Sequence, residues 1–240
     1  VGVYEDGSLQ MNGGSLETWL LESIGKVEIN GASLTADIVN HSSLSMTDCT
    51  SSGFISAEAG SETTLDGVSC AFMFVSDDQS VTVGDKGLTL TDQDGLYLYD
   101  FSGSTETLFA NMGNFTAAPE AYIIISGETI GTATLTASQA FPLGYALDAY
   151  AGQISIPSGE ILTLEQGALL DPNGSTLVVE GSLNAAFETE ATAIACPWSN
   201  SILWVNGGSI NLTNASISLS GENSGVLVES GSLSMDGGSY

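Results

Sequence analysis

The sequence predicts an all-β protein: a parallel β-helix (β-solenoid) of about nine to ten coils of roughly 25 residues. Three observations lead there. Helical periodicity is nearly absent. Short runs of β-branched and apolar residues alternate with Gly, Ser, Asn and Asp, as in "STLVVEGSL", "SILWVNGGSI", "GVLVESGSL" and "AYIIISGETI". The turn glycines Gly7, Gly31, Gly60, Gly87, Gly127, Gly152, Gly181, Gly208 and Gly231 recur with the imperfect period that marks a solenoid. The one long interval, from Gly87 to Gly127, carries an insertion.

Each run reads as a strand of four or five residues, a turn residue, a small residue and a second short strand. Glycine at the turn permits a backbone that side chains would forbid, so the chain bends sharply between strands. A single coil cannot bury its own inward side chains, but stacked coils bury them against neighbours through parallel pairing. Inward positions then form ladders. Leu183, Ile210 and Leu233 belong to one, and Val178, Val205 and Val228 are expected in another. In "LYLYDF", Tyr97, Tyr99 and Phe101 share one strand face. They read either as a core ladder or as a sugar-stacking platform. The chain reads as one domain, residues 1–240.

Composition narrows the partners. The chain has 29 acidic residues, no Arg, two Lys (Lys26 and Lys86) and a net charge of −27. Such a chain has no means of gripping phosphate, which argues against nucleic acid and anionic membranes. The acids stand mostly singly beside turn glycines, the pattern of a solvated surface. No apolar run reaches the ~20 residues of a membrane-spanning helix. The sequence starts mid-pattern at Val1, without Met or a signal peptide, and reads as a piece of something longer.

The "GGSL", "GGSI" and "GASL" turns resemble the Gly-Gly-Ala-Ile type repeats of autotransporter passengers and polymorphic outer-membrane proteins. The whole resembles the right-handed parallel β-helix, pectin-lyase-like surface proteins. That resemblance implies a right-handed coil and an extracellular or cell-surface location. Polysaccharide-cleaving enzymes share the fold. Pectate-lyase-like sites use Arg or Lys beside calcium, whereas this chain has no Arg and its two Lys lie far apart. Inverting hydrolases of the fold need clustered Asp with basic companions, and the only His is His41, expected at a surface turn. The expectation is therefore a protein that is not an enzyme and needs no cofactor, calcium aside.

Three sets of candidate site residues remain. Cys49 and Cys70 stand about one coil apart, in "LSMTDC" and "LDGVSC". Aligning Leu44 over Leu65 stacks the two cysteines on adjacent coils, within reach of a disulfide. Cys196 is left over. Asn-x-Ser/Thr sequons at Asn40, Asn114, Asn173, Asn211 and Asn214 are candidates for N-glycosylation. Asp77 and Asp78 in "SDDQS", with Asp92 and Asp94 in "TDQDG", are candidates for weak calcium binding or for ordinary Asx-turns.

Finally, "VYEDGSLQMNGGSL" at residues 3–16 matches "LVESGSLSMDGGSY" at residues 227–240 at eight of fourteen positions, without a gap. Ordinary coils share less. The match suggests a tandem unit spanning positions 1–224, with 225–240 starting the next copy. The function expected is that of a secreted structural or adhesive surface protein. It would form a stiff rod or fibre segment by end-to-end stacking of copies or tandem domains. The alternatives are a carbohydrate- or host-binding adhesin, reading through segments 105–120 and 188–200, and a polysaccharide-active enzyme.

Overall fold

The computed structural model describes residues 1–76, 79–103, 114–197 and 200–240. Among them there is no α-helix, and every strand pair with an assigned register is parallel. The chain is thus all-β with long parallel sheets, an arrangement compatible with a β-solenoid. It divides into two compact units.

The first unit comprises Val1–Tyr99, Glu106–Tyr122 and Gln139–Pro142. Its five-stranded parallel sheet is ordered Ser8–Asn12, Lys26–Asn30, Ser43–Thr47, Glu62–Asp66 and Ser80–Val83. Between these strands the chain crosses to a second parallel set that includes Ser15–Ser23, Ser33–Asn40, Ile55–Ala57, Met73–Ser76 and Leu96–Tyr99. On strands such as Lys26–Asn30, Ser43–Thr47 and Met73–Ser76 alternate residues are buried, as period-two geometry requires. Met11, Ile29, Met46, Leu65 and Val83 share one inward column. Leu21, Ile38, Ile55, Met73 and Leu96 share another, and all five are buried. Each such aliphatic side chain contributes about 1.5–3 kcal/mol when removed from water.

The rungs of this unit are shorter than the sequence predicts. Leu9 pairs with Val27, Val27 with Leu44, Leu44 with Thr63 and Thr63 with Val81. The turn glycines mislead because they mark different corners. Gly7 precedes its strand and Gly31 follows one. The counterpart of Gly7 is Gly25, since Ser8 pairs with Lys26. A Cβ on Gly25 would stand 2.3 Å from the carbonyl oxygen of Gly7, so only glycine permits this stacking.

The second unit comprises Asp100–Thr105, Ile123–Ser138 and Leu143–Tyr240. Its longest strands are Ser182–Cys196, Ile202–Leu219 and Gly225–Asp236. Ala133, Leu162, Leu183, Ile210 and Leu233 form one continuous column. From Leu162 onward the spacing of this column lies close to the expected repeat. The ladder of Leu183, Ile210 and Leu233 is therefore present as expected. The valine ladder is corrected by one position: Val179, not Val178, pairs with Val205, which pairs with Val228. Val178 pairs with Trp204, and a one-residue slip moves a side chain to the opposite face.

Candidate functional site

Two features stand out: a cluster of aromatic rings on the outside of the first unit, and the two rungs that carry the matching sequence.

The aromatic cluster follows from strand parity. In Leu96–Tyr99, Leu96 and Leu98 point inward and are buried, so Tyr97 and Tyr99 must point outward. Tyr99 is 38% exposed. Phe101 is buried. The common face for Tyr97, Tyr99 and Phe101 therefore does not form, and the core reading holds for Phe101 alone. Met73–Ser76 sets Phe74 outward against Tyr97, and Ser76 against Tyr99. One residue before the paired Ile55 and Met73 lie Phe54 and Phe72. The five rings touch. Centroids are 5.1 Å apart for Phe54 and Phe74, 5.3 Å for Phe72 and Phe74, 4.9 Å for Phe74 and Tyr97, and 5.6 Å for Phe74 and Tyr99. Offset and edge-on pairs of this kind contribute about 0.5–1.5 kcal/mol each beyond their burial. Phe54, Phe72, Phe74 and Tyr97 are only half-buried.

Two carboxylates are bonded to the segments that carry the rings or pair with them. The Phe54 N–H donates to Asp37 Oδ1 at 3.4 Å. Ser56, paired with Phe74, donates its hydroxyl to Glu58 Oε1. Both lysines belong instead to rungs of the five-stranded sheet, Lys26 in an ion pair with Glu28 and Lys86 in one with Asp48. Asp48 lifts the Lys86 ammonium above its ordinary value through a hydrogen bond. His41 stands 3.5 Å from Glu22, at a surface turn as expected. Sequence reading found Tyr97 and Tyr99 but missed Phe54, Phe72 and Phe74. The available signal was the pair of phenylalanines two apart in "FMF", which share a face across one buried Met.

The matching rungs are alike in conformation as well as sequence. Leu9 and Met11 on Ser8–Asn12 alternate with exposed neighbours, and Leu233 and Met235 on the last strand do the same. All four are half-exposed. Their column neighbours Val27, Ile29, Ile210 and Leu212 are buried, at 0, 0, 0 and 2% exposure.

The remaining predicted residues are not gathered into one site. Cys49 and Cys70 are buried free thiols. Thr50 pairs with Ser69, a register that sets Cys49 against Val68 rather than Cys70. Leu44 likewise lies over Thr63, and Met46 over Leu65. Burial alone pushes the Cys70 thiol up to about 12. Cys196 is buried and accepts a hydrogen bond from the Ser201 hydroxyl at 3.1 Å.

Each sequon amide nitrogen donates within the fold. Asn40 is wholly buried and bonds Glu62 O and Thr63 Oγ1, both at 2.9 Å. Asn114 bonds Gly84 O at 2.9 Å, Asn173 bonds Leu147 O at 3.1 Å, and Asn214 bonds Phe187 O at 3.0 Å. Asn211 bonds Asn184 Oδ1 at 2.9 Å and is exposed.

Asp77 and Asp78 lie outside the described residues, as do 104–113 of the insertion and residues 198–199. The Asp94 N–H donates to Asp92 Oδ1 at 3.3 Å, which is the Asx-turn geometry. Burial, then the Asp92 charge, raises the Asp94 carboxyl above its ordinary range. A cavity of about 370 Å³ opens beside Asp92, Gln93 and Glu120. Among the described residues, no three His, Cys, Asp or Glu converge to hold a metal ion. In segment 188–200, the exposed residues Glu188–Glu190 leave the register as a bulge. Gln166 Oε1 holds the bulge by accepting from the Glu188 N–H at 2.8 Å.

Comparison with protein-family models, with curated proteins and with solved structures finds no match.

Proposed function

We propose that this protein is a secreted structural or adhesive surface element, built as a right-handed parallel β-solenoid and assembled end to end through its terminal rungs. The observation that carries the reading is the pair of matching rungs. Leu9, Met11, Leu233 and Met235 are half-exposed in columns that are otherwise buried. Strands at a sheet edge present unpaired backbone groups, a template for a further strand. A rung laid on either edge continues both the hydrogen-bond ladder and the apolar column. On this reading a further copy, in tandem or from another subunit, supplies that strand. The same reading assigns the protein no catalysis, and its acidic surface to an extracellular setting.

The test is sedimentation velocity and electron microscopy of the chain from micromolar to millimolar concentration. Concentration-dependent rods or filaments are expected, abolished by Met235→Glu together with Leu233→Lys. A chain that stays monomeric throughout this range overturns the proposal.

A further inference from the structure

We infer that the outer aromatic cluster of the first unit is a docking site for an arginine-bearing, basic protein segment. The inference does not depend on the end-to-end reading, because the rings sit on the flank of internal rungs. Five rings, Phe54, Phe72, Phe74, Tyr97 and Tyr99, form one contiguous patch of half-buried to exposed aromatic surface. Exposed patches of this kind mark interaction surfaces. Stacking among the rings accounts for their contact with one another but leaves the outer faces in water.

Charge decides the occupant. The neighbouring columns supply the carboxylates of Asp37 and Glu58, in a chain of net charge −27 whose two lysines are engaged elsewhere. An aromatic face attracts a cation through its quadrupole. A guanidinium stacks flat on such a face and also forks two donors onto a carboxylate, which an ammonium cannot do. The long-range field of the chain draws a basic partner in and repels an acidic one. A neutral glycan would use the rings but gain nothing from this charge.

The experiment measures fluorescence polarisation of a labelled arginine-rich peptide, a lysine-rich peptide of equal charge, and a neutral glucan oligosaccharide. The protein is wild type, Tyr97→Ser/Tyr99→Ser, Asp37→Asn/Glu58→Gln, and a control with the same charge loss elsewhere, Glu188→Gln/Glu190→Gln. Circular dichroism checks that each variant is folded. Tyr99→Ser alone, at the exposed margin of the cluster, serves if the double tyrosine variant does not fold. The arginine peptide is expected to bind about tenfold tighter than the lysine peptide. The ring and carboxylate variants should each lose about tenfold, while the control stays within about twofold. The inference is overturned by equal binding of the two peptides, by equal loss in the control, or by binding of the glucan in place of the arginine peptide.

Discussion

Gly13 and Gly237 occupy the same place in two rungs at opposite ends of the sequence, and both hold a left-handed backbone, φ 76° and 71°. Their followers Gly14 and Gly238 do so as well, at 84° and 74°. Two consecutive left-handed residues turn the chain out of the strand in a way that L side chains resist. The repeat is therefore one of backbone geometry and not only of letters. Gly13→Ala is expected to cost about 1–2 kcal/mol from the backbone alone. Gly237→Ala should cost more, because its Cβ would stand 2.7 Å from Asn214 Oδ1, whereas Gly13 has no atom nearer than 3.9 Å. Urea titration of the two variants checks the order.

Leu183 is fully buried between Leu162 and Ile210. Leu183→Asp places a charge there without a partner, a loss of about 3–5 kcal/mol. In a stacked fold each rung contacts only its neighbours, so the damage should stay local. Limited proteolysis is expected to open cleavage sites in the adjoining rungs while Ser8–Asn12 and its neighbours stay protected. Loss of protection everywhere would contradict nearest-neighbour stacking.

Asn40 is a sequon residue with a structural task. Its amide donates to Glu62 O and Thr63 Oγ1, and its carbonyl accepts from the Ser42 N–H at 3.1 Å. Asn40→Ala leaves these groups unsatisfied and should cost about 1–3 kcal/mol, read as a fall in Tm. In folded material from a secreting eukaryotic host, glycopeptide mapping should find Asn40 unmodified. The exposed Asn211 is the sequon most open to a glycan.

Cys70 makes stability depend on alkaline pH. Its thiol rises from an ordinary 9.0 to about 12 in the folded state, by burial. Below 9 the thiol is protonated in both states and the native protein keeps its full stability. Between 9 and 12 the unfolded chain loses the proton and the folded chain does not, so stability falls by about 1.4 kcal/mol per pH unit. Denaturation of wild type against Cys70→Ala across pH 8 to 11 should show this slope in the wild type only. Alkylation of the native thiol should be slow over the same range.

The sequence announced strands, turns and parallel columns, because period-two burial and glycine corners are local signals. It did not announce the short rungs of the first unit. Gly7 and Gly31 look alike in sequence but stand on opposite sides of their strands. The same uncertainty in turn length slid Leu44 onto Leu65 and hid that Thr50 meets Ser69. The aromatic cluster was half legible. In "LYLY" both faces are apolar, so pattern alone cannot say which one enters the core. Only pairing with Met73–Ser76 decides it, by placing Leu96 over Met73 and Tyr97 over Phe74.

The unequal steps between paired residues carry a practical consequence. The short rung from Val27 to Leu44 and the long one from Leu183 to Ile210 both keep their inward columns aligned, so the stack accepts rungs of unequal length. Turn glycines such as Gly60, Gly152 and Gly159 have open space around them, with no atom within 4 Å of a built Cβ. Such corners are natural splice points. A foreign epitope, protease site or reporter peptide grafted there should be held out on display while the strands on either side keep their partners, which makes the chain a scaffold for presentation.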